Sequence, residues 1–255
     1  MRGLLATWRS AVAEAAANRR ALVSQMSIMV LNDAIWVLFW VLFFRRVGEL
    51  RGWDVHLVLL LQAVLTAAGG IALGVLANAR RIGAMAVGGE LDAVLTLPVP
   101  PLAYVLLRRT EPINMGDLVF GVGLFLVAGR PTPGRALVFV VGALLGAALL
   151  VGFLVLAGSS AFFLGRVEGG DLGFHGILMT AAYPVDAFAG VAKALLYSVV
   201  PAAFVASVPA RLVADPDAGV FAAFVGVTAL FCFLAWAAFH AGLRRYTSGS
   251  VWTRA

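Results

Sequence analysis

A chain of 255 residues that is 62% hydrophobic and 13% charged, with a mean hydropathy of +0.97, cannot bury its apolar surface in one soluble core, which excludes an ordinary soluble domain. The net charge of +6 comes from arginine, Lys193 being the single lysine, and the basic residues fall in pairs between apolar runs, so no continuous basic stripe is offered to nucleic acid. Cys232, the only cysteine, sits in an apolar run and excludes an internal disulfide or a cysteine metal cluster.

In residues 1–20, Leu4, Leu5, Trp8, Ala11, Val12 and Ala15 share one helical face, with Arg2, Arg9, Arg20 and Glu14 largely opposite. That pattern predicts an interfacial amphipathic helix on the inner leaflet. The first apolar run starts near Ala21 without a small-residue cleavage site behind it, so it is expected to stay in the mature protein.

A bilayer core takes about 20 apolar residues per helix. Spans are expected at about 21–44, 57–77, 113–129, 136–165, 172–189 and 218–243. The region 172–210 is the hardest to divide, because Pro184, Pro201 and Pro209 break it and Asp186 and Lys193 interrupt it. Charge decides. After Asp217 the chain holds Arg244, Arg245 and Arg254 and no acid, and the N-terminal segment carries Arg2, Arg9, Arg19 and Arg20 against Glu14, so the positive-inside rule puts both ends in the cytoplasm. An even number of crossings then makes residues 190–210 a re-entrant segment on the outer side. The expected fold is an all-α membrane protein, one transmembrane domain over 1–255, with six transmembrane helices and both termini cytoplasmic. Gly70 with Gly74, and Gly142 with Gly146, have the small-xxx-small spacing of close helix contacts.

The chemistry of enzymes is missing. Lys193 stands in Gly190-Val191-Ala192-Lys193-Ala194, which is not a phosphate-binding P-loop, so this chain is expected to bind no ATP and no other cofactor. His56, His175 and His240 are far apart in sequence and form no H-E-x-x-H, so no metal site is expected. Gly158-Ser159-Ser160 lacks a nucleophile elbow, and helix-end serines bonding to their own backbone account for it. No catalytic residue is assigned.

The long polar connection from Asn78 to Pro112 is cytoplasmic in this topology. Within it, residues 86–98 start at a glycine break, run as a short helix with Leu91, Val94 and Leu95 on one side, and stop before Pro98. A short, stiff, partly apolar helix there is suited to dock into another protein. Glu90 and Asp92 lie about 200° apart on a helix and do not converge as paired catalytic carboxylates would.

The stretch Gly89-Glu90-Leu91-Asp92 with Leu95 and Pro98, then Tyr183-Pro184, the proline-punctuated run from Leu195 to Pro209, and the end Gly242-Leu243-Arg244-Arg245-Tyr246-Thr247-Ser248 occur in that order. Together they resemble the ABC-2 family of transporter permeases, over essentially the whole chain. The resemblance implies a bacterial cytoplasmic-membrane exporter subunit with a coupling helix in the first cytoplasmic loop and short re-entrant helices between spans five and six. It also implies a second permease, identical or paralogous, and P-loop ATPase subunits that use ATP and Mg²⁺. The coupling role carries over to Gly89, Glu90, Leu91 and Asp92.

Asp33 lies mid-span beside Asn32 and shares a helical face with Trp36, Trp40 and Phe43. An intramembrane carboxylate is costly enough to suggest function, and beside aromatic rings it would suit a lipophilic cation on a substrate path. The alternative is a structural carboxylate buried at the seam between two permeases. Competing readings of the whole chain are a stand-alone channel or substrate-capturing importer subunit, and an intramembrane enzyme using Asp33 or Ser159.

Overall fold

The computed structural model describes residues 2–165 and 168–246. Helix α1 (Arg2–Ala16) is followed by α2 (Arg19–Val47), α3 (Val55–Gly69) with a π-helical continuation (Gly70–Val75), and a 3-10 turn (Ala77–Arg81). Short helices α4 (Ile82–Val87), α5 (Leu91–Leu95) and α6 (Pro101–Leu107) lead to α7 (Pro112–Ala128), α8 (Pro133–Ser159), α9 (Ala161–Leu164) and α10 (Glu168–Ala181). Helices α11 (Gly190–Tyr197), α12 (Val208–Ala214) and α13 (Ala218–Leu243) complete the chain.

Local chemistry sets the boundaries. Asn18 accepts from the Ala21 N–H to open α2, and Gly48, at φ 77°, closes it. Asp54, Thr132 and Asp217 cap α3, α8 and α13 in the same way. Thr132 is followed by Pro133, whose missing N–H costs nothing in the first turn.

Among the described residues, four helices are long and apolar enough to cross a membrane: Arg19–Val47, Val55–Val75, Pro133–Leu164 and Ala218–Leu243. Helices α6 and α7 pass the same test only as a pair, and a bend of 79° separates them. With 14 residues, α10 spans about 21 Å, short of a hydrocarbon core of about 30 Å. It ends at Ala181 rather than reaching 189, because Pro184 cannot continue it.

The bundle is built round α3 and α8, whose most apolar stretches are 78% and 67% buried, against 17% for α2 and 22% for α13. Leu31, Ile35, Leu38 and Leu42 of α2 and Leu230, Phe233 and Trp236 of α13 are exposed, which suits lipid contact. Residues 201–210 are all buried, packed with α12 against α3 and α8. Irregular backbone at membrane depth survives where protein surrounds it, and this segment meets that condition.

The glycine pairs explain how such packing is reached. A Cβ on Gly146 would stand 2.9 Å from the Val205 carbonyl oxygen, and one on Gly70 would overlap the Leu118 backbone. Gly146 therefore seats the 201–210 segment, and Gly70 seats α7 on the π-helical end of α3.

Candidate functional site

Among the described residues, three clusters are candidates for function, one at each end of the bundle and one along α2. At the first end, the chain turns out of α4 through Gly89, which has φ 76°, a conformation that favours glycine. The Glu90 carboxylate that follows meets Arg81 at 3.4 Å and Arg108 at 3.6 Å. Leu91 and Val94 are each only 1% exposed, whereas Leu95 is 46% and Leu97 40% exposed. The helical face expected to hold Leu91, Val94 and Leu95 together is thus split, with two residues inside and the third outside.

The residues just after α13 help to hold this segment. Tyr246 lies by Asp92, and burial, reinforced by that carboxylate, pushes its phenol up to about 12. Its ring meets Phe162 edge-on at 6.1 Å. Underneath, the buried Asn78 donates to the Val105 carbonyl at 2.8 Å, and Thr110 donates to the Ala11 carbonyl at 3.0 Å. Gly89, Glu90, Leu91 and Asp92 are therefore the turn, the ion pair, the plug and the tail contact that seat α5. The surface facing outward is made by Leu95 and Leu97.

Along α2, Trp36 and Trp40 both pack edge-on against Tyr183, at 6.2 Å and 5.7 Å. Phe43 meets Trp40 at 5.7 Å. The aromatic stripe is thus closed by the Tyr183-Pro184 turn, and Trp40 is buried. Asp33 is also buried, and one of its oxygens has no hydrogen-bond partner. Its electrostatic neighbour is Asp117 of α7, likewise buried with an unpartnered oxygen. Asp117 sits beyond the first turn of α7, too far in for the helix N-terminus to be its partner.

At the far end, a cluster that local sequence patterns do not reveal centres on Asp186. Its carboxylate binds Lys193, accepts from Arg211 at 2.7 Å and accepts from the Trp53 indole N–H at 2.9 Å. Arg211 also lies 5.0 Å over the Trp53 ring, and Arg51 donates to the Asp186 carbonyl at 2.9 Å. Burial alone would raise the Asp186 carboxyl, but the hydrogen bonds from Lys193 and Trp53 and the two cations outweigh it and hold it below the usual carboxylate range. In the sequence, Asp186 and Lys193 show only as interruptions of a span.

Ser159 is buried and donates to the Val155 carbonyl at 2.7 Å, the helix-end bond expected of it. Among the described residues, no group of three or more His, Cys, Asp or Glu side chains is arranged to hold a metal.

Helices of membrane length wrapped round two buried ones define a multi-pass membrane protein. The family model described as ABC-2 family transporter protein matches residues 30–250, and the chain belongs to that family, whose members are the membrane subunits of transporters. No curated protein and no solved structure gives a significant match.

Proposed function

We propose that the chain is the permease half of an ATP-driven exporter of the bacterial cytoplasmic membrane, paired with a second permease and two separate P-loop ATPase subunits. Both termini are cytoplasmic, and the count of six spans adds to the four longer helices α7 and the short α10, whose crossing is completed by the chain that runs on to the Val185–Ala187 turn. Two groupings support this topology: α1, the 77–111 connection and Tyr246 lie at one end, and Trp53, Asp186 and Arg211 gather at the other.

The observation that carries the reading is the seated α5 segment. Its inner face is held by Leu91, Val94 and the Glu90 ion pairs, while Leu95 and Leu97 remain exposed. A rigid apolar knob in the cytoplasm, fixed to α3 and α8 through the 77–111 connection, is what an ATPase needs in order to move a bundle by pushing on it. The substrate is taken to be lipophilic or amphiphilic, with the Trp36, Trp40 and Phe43 stripe along its route and Asp33 suited to a cationic group.

Co-purification with the ATPase tests the docking. Leu95→Asp combined with Leu97→Asp should release the ATPase while the permease melts as before. Undiminished association would sink the assignment.

A further inference from the structure

Between α1, the first turns of α2 and the chain leading into α7 lies an open cavity of about 480 Å³. Its wall carries Arg81, Arg108 and Arg109, with Asn18, Gln25 and Glu14. Neither Leu95 nor Leu97 of the exposed knob lines it.

The arginines on its wall are only loosely satisfied. Glu90 is shared by Arg81 and Arg108 at 3.4 and 3.6 Å, and Glu111 by Arg80 and Arg109 at 3.6 and 3.3 Å. These separations exceed the roughly 2.7–2.9 Å of a charge-assisted hydrogen bond. Four guanidiniums against two carboxylates leave a surplus of two positive charges, of which Glu14 offsets one. Each guanidinium carries five donors, so donors remain for a further anion.

The location selects the kind of anion. The cavity is lined at the openings of two membrane helices, by Asn18, which caps α2, Ala21 of α2 and Pro112 of α7, so it sits at the depth of the polar headgroups. Beside it, Leu5 and Trp8 of α1 are 56% and 37% exposed, as expected of an interfacial helix with its apolar side chains among acyl chains.

We propose that this cavity binds the phosphate of an anionic lipid headgroup from the cytoplasmic leaflet, with Arg81, Arg108 and Arg109 donating to its oxygens. A zwitterionic headgroup brings a cation that the surplus positive charge repels. A soluble phosphate compound shares the phosphate chemistry but makes no use of the apolar side chains of α1. The proposal rests on the function proposed above only for the cytoplasmic placement of this end. Its test needs no ATPase, so either idea can fail without the other.

The full-length chain, purified in detergent, is offered equimolar phosphatidylglycerol and phosphatidylcholine, and the retained lipid is read by native mass spectrometry. Wild type should prefer phosphatidylglycerol by on the order of tenfold. R108Q/R109Q should lose that preference, and R45Q/R46Q, at the other end of α2, should keep it. R109Q alone, at a side chain that is 50% exposed, should show a partial loss even if the double variant does not fold. Equal retention of the two lipids by wild type, or an undiminished preference in the R109Q and R108Q/R109Q proteins, would overturn the proposal. In a parallel titration, uptake of inorganic phosphate without any lipid preference would assign the cavity to a soluble phosphate compound and overturn it as well.

Discussion

Trp53 donates its indole N–H to the Asp186 carboxylate at 2.9 Å, joining residues 133 positions apart in the chain. With Lys193 and Arg211 on the same carboxylate, removing its charge strands two cations. Asp186→Asn should therefore destabilise the protein by about 1–3 kcal/mol, read as a lower melting temperature in detergent.

The same carboxylate sets an acid response. Because Asp186 is held below the usual range, its contribution is fully present above the unfolded value of about 4. It is lost as the pH falls through the lower folded value. Wild type should lose stability below about pH 4 more steeply than Asp186→Asn. Parallel curves would show that the cluster contributes nothing.

Close approach at glycine predicts an ordered series. Gly70→Ala, which drives a methyl into the Leu118 backbone, should cost about 1–3 kcal/mol or more. Gly146→Ala, against the Val205 carbonyl, should cost less, and Gly123→Ala, with nothing within 4 Å, should be neutral. Thermal unfolding of the three variants checks the order.

Glu90→Lys places a third cation between Arg81 and Arg108. Residues 86–98 should then exchange amide hydrogen faster by roughly tenfold, and ATPase coupling should fall, whereas Glu90→Gln, which loses the two exposed pairs without adding repulsion, should loosen the segment by a smaller amount, about 0–1 kcal/mol. If exchange in that segment did not change in Glu90→Lys, the ion pairs would not be what seats α5.

Tyr246 is a packing contact just after α13. Tyr246→Ala should loosen the same segment and cost about 1–2 kcal/mol, while Tyr246→Phe should keep most of the stability. With the phenol pushed up to about 12, neither effect should vary between pH 6 and about pH 9.

Asp33→Asn tests the substrate argument. Efflux of a lipophilic cation such as tetraphenylphosphonium should slow by on the order of tenfold. Equal rates would leave Asp33 a structural carboxylate at the α2/α7 seam.

Hydrophobic length and proline make the long helices legible in the sequence alone: α2 and α13 each contain the apolar run expected of them, whereas the run expected at 136–165 is divided between α8, which stops at Ser159, and the short α9. Which side of a short helix is inside is not legible there. Leu91, Val94 and Leu95 fall within one arc of a five-residue helix, yet the first two are buried and Leu95 is exposed where residues distant in sequence, Arg108 and Tyr246, close on the segment. Asp186 is hidden for the same reason. Lys193 is 7 residues away, but Arg211 is 25 and Trp53 is 133, and no local periodicity joins them. The glycine pairs are visible as spacing, yet spacing does not reveal that Gly146 faces the buried 201–210 segment rather than another long helix.

That buried segment has a mechanical consequence. It packs inside the bundle against α3 and α8, and it is tied to the loop after α2 by the grip of Asp186 on Arg211 and Trp53. A passage that opened toward that end would have to lift this wedge, and the wedge cannot rise until the clasp lets go. The first bonds to break in such a cycle are thus polar ones at the rim, and the long helices need not tilt before they do.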